Sequence, residues 1–541
     1  MSVQNKISQQ FPTAQIEEKS DRLIVSINAE LLREMAVMLY NDKELRFDFM
    51  RSLTGMDWGE AGFGVVYHLE STEDIKRQLE LKVVIPDREN PFIDTVSDLW
   101  KTALLNEREV YDYFGVIFIG HPDMRRLYLR SEWKGFPLRK DYVRAEGLDM
   151  TNEEPDDSTV TWYRDKNGVP RSRRYNLFES GEYVVNIGPQ HPATHGVLRF
   201  RVSLEGEFLK KLDVHCGYIH RGVEKLCESM TYQQTISLTD RLDYLSSLQN
   251  RHALCMCVEK AMGLELSDRI QYIRTIMDEL QRINSHLLFF ATFCMDLGAL
   301  TSFFYGFRDR EKILDILEET TGGRLTMHYN VIGGVEEDIH PNFVKRVKEL
   351  LAYLPYALEE YRKVFTENII AKNRLIGVGH LSREDAISFG ATGPTGRGSN
   401  WACDVRKRIP YGVYDKVDFK EIVRSECDSY ARYLIRMDEI KESMRIIETL
   451  IDNIPEGNYR EKTKAVIRVP EGSYYTAVEA SRGEFGVYLE SRGDKSPYRL
   501  KFRSTGLPLI AGIDTISRGE KIADLIAIGA SLDYVVPDID R

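Results

Sequence analysis

Two histidines four residues apart, His191 and His195, stand in the run GlyProGlnHisProAlaThrHisGly at 188–196. That spacing would suit a metal pair on one face of a helix. Pro189, Pro192 and Gly196 argue against a helix, and a tight hairpin fits better. A zinc site would need further Cys or His ligands at short spacing, and His215 and His220 complete no such pattern. Two readings remain: a pair of satisfied structural histidines, or a loop that aims a histidine into a cavity. Tyr244 lies in ThrAspArgLeuAspTyrLeuSerSer (239–247), which has the pattern of a helix segment, where a tyrosine is ordinarily core with a bonded hydroxyl. From Ile283 to Phe307 the only ionisable groups besides tyrosine and the Cys294 thiol are His286 and Asp296. A bilayer span needs about 20 mostly apolar residues. Asp296, Gly298 and several hydroxyl and amide side chains interrupt this run, so a helix buried in a large core is expected. Asp296 is then a buried carboxylate that needs a partner.

Other motifs read more plainly. GlyAlaThrGlyProThrGlyArgGlySerAsn (390–400) lacks the Gly-Lys-Ser/Thr ending of a phosphate loop. A flexible loop lining a cavity or an interface is expected. Cys255 and Cys257 point to two sides of a helix and read as core. GluArgGluValTyrAspTyrPheGly (107–115), PheIleGlyHisProAspMetArgArgLeu (118–127) and GlyPheProLeuArgLysAspTyr (135–142) are dense in charge and aromatics. They suit either a helix end capped by Gly115 with a solvated loop, or a docking surface, where Arg and Tyr are enriched.

The elements that must position these residues divide the chain in two. Leu23–Asn28 and Leu79–Ile85 read as strands, and Ala29–Tyr40 and Asp94–Phe114 carry helical spacing. Four of the five tryptophans fall in the first 162 residues and none of the seven cysteines does. The stretch Arg144 to Ser180, rich in charge, Asn, Gly and Pro, reads as a linker between two units. The second unit opens with strands at Tyr183–Ile187 and Leu198–Leu204. Helices follow at Asp268–Met295, Pro341–Asn368 and Phe419–Ile454. The first of these sets Ile270, Ile273, Met277, Leu280 and Leu287 on one stripe. Strands return at Lys464–Val469, Gly486–Ser491 and Tyr498–Arg503.

With 541 residues, 43% of them hydrophobic, the chain can bury a large core. A net charge of −11 argues against a nucleic-acid coat, which needs a basic face. The N-terminus shows no apolar segment of a secretory signal, and an odd cysteine count without a CxxC pair suggests reduced thiols in the cytosol.

The charged run at 107–142 resembles the signature of the C subunit of respiratory complex I, the proton-pumping NADH:quinone oxidoreductase. GlyProGlnHisProAlaThrHisGly resembles the hallmark of its D subunit, as do AspValArgLys (404–407) and the ending AlaSerLeuAspTyrValValProAspIleAspArg (530–541). The chain is thus similar to a fusion of the 30-kDa and 49-kDa subunit families over roughly 20–142 and 183–541. It departs from them where a Met-Gly-containing tail is expected and ValProAspIleAspArg stands. The resemblance implies an α+β fold. A C-subunit-like α+β domain at 1–145 and a linker at 146–180 would lead to a D-subunit-like domain at 181–541. That last domain would be mainly helical with flanking β segments, and related to the large subunit of nickel–iron hydrogenases.

The resemblance also implies a site. The second motif histidine, here His195, lines the quinone headgroup pocket in the family. The tyrosine after ArgLeuAsp, here Tyr244, is the second quinone ligand, and the aspartate of AspLeuGlyAla, here Asp296, pairs with the histidine. A tyrosine hydroxyl and a histidine can each donate a hydrogen bond and then a proton to one quinone carbonyl. An aspartate behind the histidine would hold its tautomer and favour the protonated ring. Quinone is the expected substrate, with no metal or iron–sulfur cluster held by this chain. The expected partners are a cluster-bearing B-like subunit, a ferredoxin-like I subunit, a membrane H-like subunit and the rest of the peripheral arm. The expected place is the cytoplasmic face of the bacterial inner membrane, as a peripheral component. The rival reading is the large subunit of a membrane-bound nickel–iron hydrogenase. It needs four thiolates, and the corresponding positions are Asp243, Ser246, Val535 and Asp538.

Overall fold

The structure, a computed structural model, describes residues 3–143 and 158–541. The chain opens on a five-stranded sheet formed by β1 (Gln15–Glu18), β2 (Leu23–Asn28), β3 (Phe49–Asp57), β4 (Phe63–Glu70) and β5 (Gln78–Ile85). The spatial order is β1-β2-β5-β4-β3, and only β2 and β5 run parallel. The helix Ala103–Phe114 packs on β3. A methyl group on Gly55 would sit 2.6 Å from the Phe114 ring, so this close approach needs a glycine there.

Short parallel strands β6 (Phe92–Asp94) and β7 (Ile117–Ile119) flank that helix. The sequence pattern predicts a helix from Asp94, and the structure begins it nine residues later, at Ala103. Residues 95 and 96 are instead tied to the Glu107 carboxyl, through Thr95 Oγ1 at 2.5 Å and the Val96 amide at 2.9 Å.

Residues 144–157, within the stretch read as a linker, lie outside the described residues. The rest of that stretch contains a hairpin, β8 (Ser158–Arg164) with β9 (Pro170–Asn176). Its backbone accepts from the first unit, Gly120 N donating to Trp162 O at 2.7 Å and Met124 N to Val160 O at 2.8 Å.

Next come the antiparallel strands β10 (Tyr183–Ile187), β11 (Arg199–Glu205) and β12 (Phe208–His215). A two-stranded ladder, β13 (Asn330–Val331) with β14 (Gly334–Val335), interrupts the helices that follow. At the far end lies a second antiparallel sheet of β15 (Gly472–Ala480), β16 (Gly483–Ser491) and β17 (Arg499–Arg503). The helix Asp268–Asp296 runs through the middle of the helical part, flanked by Leu300–Thr321 and Ser429–Ile451. Its apolar stripe is fully buried, and so are its polar side chains from Arg274 to His286: Arg274 pairs with Glu259 at 2.7 Å and His286 with Glu439 at 2.8 Å. Among the described residues, no helix is long and apolar enough to cross a membrane.

Two further expectations are corrected. The helix expected from Phe419 starts at Ser429, because the Asp428 side chain caps it by accepting from Ala431 N at 2.8 Å. The strand expected at Lys464–Val469 is irregular, and the ladder begins at Gly472.

The two halves share one interior. Phe49 meets Trp401 edge-on at 5.0 Å. Arg503 Nε donates to Arg51 O at 2.8 Å and Thr102 N to Ser388 O at 2.7 Å. The charged run at 107–112 turns out to be an internal tie. Glu109 pairs with Lys501 and Arg541, while Asp112 Oδ2 accepts from the amides of Leu127, Tyr128 and Leu129. The glycine-rich stretch at 390–400 is not a flexible loop: Gly393–Arg397 is a buried turn of helix inside the core.

Candidate functional site

The pairing of β10 with β11 runs up to Ile187 and Phe200, and the connection between them carries both motif histidines. It turns over a short 3-10 segment, Pro192–Thr194, where the Thr194 hydroxyl lies 2.8 Å from both His191 O and Gly196 O. His195 follows at φ +52°, a region non-glycine residues rarely adopt. Gly196 holds it there: at φ +145° its Cα faces Val536, and an added methyl would lie 2.6 Å from Val536 Cγ2. This geometry separates the two histidines. His191 is exposed, whereas the His195 side chain is only 17% exposed.

His195 meets Asp296. Its Nε2 lies 2.7 Å from Asp296 Oδ2, and that carboxylate is 7% exposed. Asp296 ends the long central helix. A carboxylate at the carbonyl end of a helix is unfavourable on its own, so it fits there with a cationic or donor partner. The buried aspartate flagged by the apolar run and the motif histidine are one pair.

Tyr244 is placed differently from the helix segment that its pattern predicts. It sits in a turn between the helices Tyr232–Thr239 and Ser247–Met262. The Asp243 carboxylate accepts from Leu245 N at 3.1 Å, and Ser246 N donates to Asp243 O at 3.0 Å. This is the local competition with helix that aspartate side chains offer. Tyr244 is half-buried. Burial pushes its phenol proton affinity up, the guanidinium of Arg482 opposes that, and the carboxylates of Asp243 and Asp533 add to it.

Those three neighbours form a buried unit that sequence reasoning missed. Arg482 Nη1 donates to Asp243 Oδ2 at 3.0 Å and to Ser285 Oγ at 3.0 Å. Its Nη2 donates to Asp533 Oδ1 at 3.0 Å and its Nε to Asp533 O at 2.7 Å. Asp533 stands in the left-handed region at φ +59° and precedes Tyr534. The Tyr534 ring centroid lies 6.2 Å from that of His195. Burial raises the Tyr534 phenol and the charge of Asp296 raises it further. Asp243 and Asp533 stand inside the motifs at 239–247 and 530–541, but nothing in the sequence joins the two. Arg482, in a hairpin tip, carried no signal.

Comparison with known proteins agrees with this architecture. A family model described as respiratory-chain NADH dehydrogenase, 49 Kd subunit, matches residues 296–467 and 462–541. Another, described as respiratory-chain NADH dehydrogenase, 30 Kd subunit, matches 25–147. The C/D subunit of the NADH-quinone oxidoreductase of Phocaeicola vulgatus is 67% identical over 518 residues, 96% of this chain and 99% of that protein. The protein of the same name from Bacteroides thetaiotaomicron is 66% identical over 94% of this chain and 98% of its own length. The D subunit of the NADH-quinone oxidoreductase of Desulfotalea psychrophila is 46% identical over 360 residues, 66% of this chain and 97% of that protein.

Proposed function

The chain belongs to the family of C and D subunits of NADH-quinone oxidoreductases, and on that premise we propose that it forms much of the site where quinone is reduced. Reduction to quinol adds two electrons and two protons across two carbonyls. Tyr244 donates a hydrogen bond and then its phenol proton to one carbonyl, and His195 serves the other. Both act where negative charge builds on the oxygens.

The observation that carries this reading is the 2.7 Å contact between His195 and Asp296. A carboxylate only accepts, so Nε2–H is committed to Asp296. The ring can then offer a proton to substrate only from Nδ1, which requires both nitrogens to be protonated. Asp296 is therefore the counter-charge of a cationic donor. The electrons come from an iron–sulfur cluster in an adjacent B-like subunit. The surroundings are completed by a ferredoxin-like I subunit and a membrane H-like subunit. The chain works as a peripheral component on the cytoplasmic face of the bacterial inner membrane.

In the same proposal, 1–145 is the C-like unit, 146–180 the linker and 181–541 the D-like unit. Kinship in fold with nickel–iron hydrogenase large subunits belongs to it as well. The carboxylates of Asp243 and Asp538, two of the positions where thiolates would stand, lie within electrostatic reach of one another.

The test is Tyr244→Phe in membranes that carry the assembled complex. The ring stays, so packing changes little. Quinone reduction per assembled complex should fall about ten-fold or more, the scale of losing a positioned proton donor. Parental turnover in a fully assembled variant would sink the assignment.

A further inference from the structure

The hairpin of β15 and β16 pairs up to Ala480 and Gly483, leaving Ser481 and Arg482 as its two-residue tip. This tip is driven into the helical part and fixed there from two sides. The Ser481 amide and hydroxyl both lie within hydrogen-bond distance of Gln249 Oε1, at 3.0 and 3.1 Å. Gly483, at φ +134°, presses so closely on Thr392 and Gly393 that an added methyl would lie 2.7 Å from Thr392 Oγ1 and 3.0 Å from the Gly393 amide nitrogen. Arg482 is 1% exposed, so its position is set by the tip and by its own bonds rather than by solvent.

Those bonds have a pattern. Apart from one to Ser285 Oγ, every hydrogen bond of the guanidinium goes to one of two aspartates. Asp243 is the residue immediately before Tyr244. Asp533 is the residue immediately before Tyr534, the ring that stacks at a tilt beside His195. Arg436, the other cation near Asp533, approaches Oδ2 at 3.6 Å but donates to the carbonyls of Arg432, Ser531 and Leu532. It does not reach Asp243. Within this neighbourhood, the bonds that join the Tyr244 segment to the segment walling His195 pass through Arg482.

We infer that Arg482 is a positioning residue for quinone reduction, holding the Tyr244 and His195 arms of the site in one register through Asp243 and Asp533. The inference rests on the reading of the site proposed above. The planar fork of a guanidinium suits this task, because it presents several donors in a fixed geometry. A buried ion pair of this kind contributes little net stability against an apolar replacement, so specificity of arrangement is the better account of its retention. The cation also opposes the rise that burial imposes on the Tyr244 phenol, which keeps that group a better acid.

The test compares Arg482→Met, Arg482→Lys and Tyr244→Phe in membranes carrying the complex. Rates are expressed per assembled complex, counted by reduction of an artificial electron acceptor that bypasses the quinone site. Arg482→Met should lower kcat with a short-chain quinone by about ten-fold while KM moves by less than about three-fold. Its solvent deuterium isotope effect on kcat should rise, because proton transfer becomes more limiting. Arg482→Lys keeps the cation and should recover a third or so of the parental rate.

If Arg482→Met turns over within about two-fold of the parent, or loses rate with the isotope effect unchanged, the inference is overturned. If Arg482→Met does not assemble, Asp533→Asn decides: it loosens one arm without removing the cation. A lower kcat with a raised isotope effect then supports the inference, and parental values for both overturn it. Tyr244→Phe separates the two levels of the argument. If it reduces quinone at the parental rate, the site reading fails and the inference falls with it. If it is impaired while the Arg482 variants are not, only the inference fails.

Discussion

Replacing Asp296 by Asn isolates the charge of the His195 partner from its shape. The pair is short, 2.7 Å, and largely buried, with 17% of the His195 and 7% of the Asp296 side chain exposed, so solvent screening discounts it little. A hydrogen bond to a charged group contributes roughly 1.5–3 kcal/mol, against about 1 kcal/mol for a neutral one. The amide therefore forfeits on the order of 1–2 kcal/mol of stabilisation of a cationic ring. At about 1.4 kcal/mol per factor of ten, that is a five- to thirty-fold loss in any step that needs the doubly protonated ring. Two rates on one membrane preparation read it: NADH to an artificial acceptor, which reports assembly, and NADH to a short-chain quinone. The ratio of the second to the first should drop by that factor in Asp296→Asn. It should drop less in Asp296→Glu, which keeps the charge. An Asn variant with an unchanged ratio would refute the idea that the anion behind His195 is used in turnover.

Gly196→Ala should also lower the quinone ratio, because a methyl there meets Val536 at 2.6 Å and φ +145° is strained for alanine. Pairing it with Val536→Ala should recover only part of the loss, since the backbone strain of about 1–3 kcal/mol remains; full recovery would show that the clash alone matters. Glu484 accepts from Arg51 at 2.9 Å and Tyr475 at 3.0 Å in the seam between the two halves, so Glu484→Gln should destabilise the full chain by roughly 3–5 kcal/mol. An unshifted thermal midpoint would contradict that. Burial pushes the Glu107 carboxyl up to about 8, with the Thr95 hydroxyl and Val96 amide opposing the rise. The folded chain then keeps a proton that the unfolded chain releases around pH 4.5, so stability falls as pH climbs from about 4.5 to about 8 and levels off above. Glu107→Gln removes that slope. Its unfolding free energy, followed by denaturant melts, should match the parent's near pH 4 and exceed it at pH 8.5 by on the order of a few kcal/mol. Parallel pH profiles for the two proteins would rule this out.

The parts of the fold that were legible are those with a single demand on the sequence. Strand β10 falls on the β-branched run Tyr183–Ile187, and the central helix on Asp268–Asp296, where the apolar stripe repeats at helical spacing. Strands β3 and β4 escaped, and both are buried on both faces. Such strands lose the alternation that marks a half-solvated sheet, and polar residues such as Arg51 and Glu70 then read as surface. Tyr244 was legible by its motif but not by its setting, since the Asp243 carboxylate turns a helix-like pattern into a turn. Of the candidate site, the need of Asp296 for a partner followed from its place in an apolar run, and the identity of that partner from the resemblance. Arg482 and its bonds were invisible, because partners 239 and 51 residues away in sequence, Asp243 and Asp533, leave no local trace in the segment that binds them.

That invisibility points to what the interior is built for. Around the central helix, Arg406 pairs with Asp404 at 2.6 Å and with Glu279 at 3.0 Å, and Arg397 pairs with Glu479 at 2.7 Å and with Glu439, all buried. Desolvating so many ions is costly, and apolar side chains of similar volume would hold the fold as well or better. Ionic partners differ from apolar ones in having few arrangements that satisfy all donors and acceptors. Here the partners come from different segments: the 268–296 helix, the 393–408 turn, the 429–451 helix and the β15–β16 hairpin. Their mutual satisfaction fixes these segments against one another in three dimensions. Proton donation to a bound quinone is intolerant of misplacement, with shifts near 1 Å able to cost about a hundred-fold. A charge-neutral repacking of this interior should therefore leave a stable protein in which Tyr244 and the His195–Asp296 pair no longer act together.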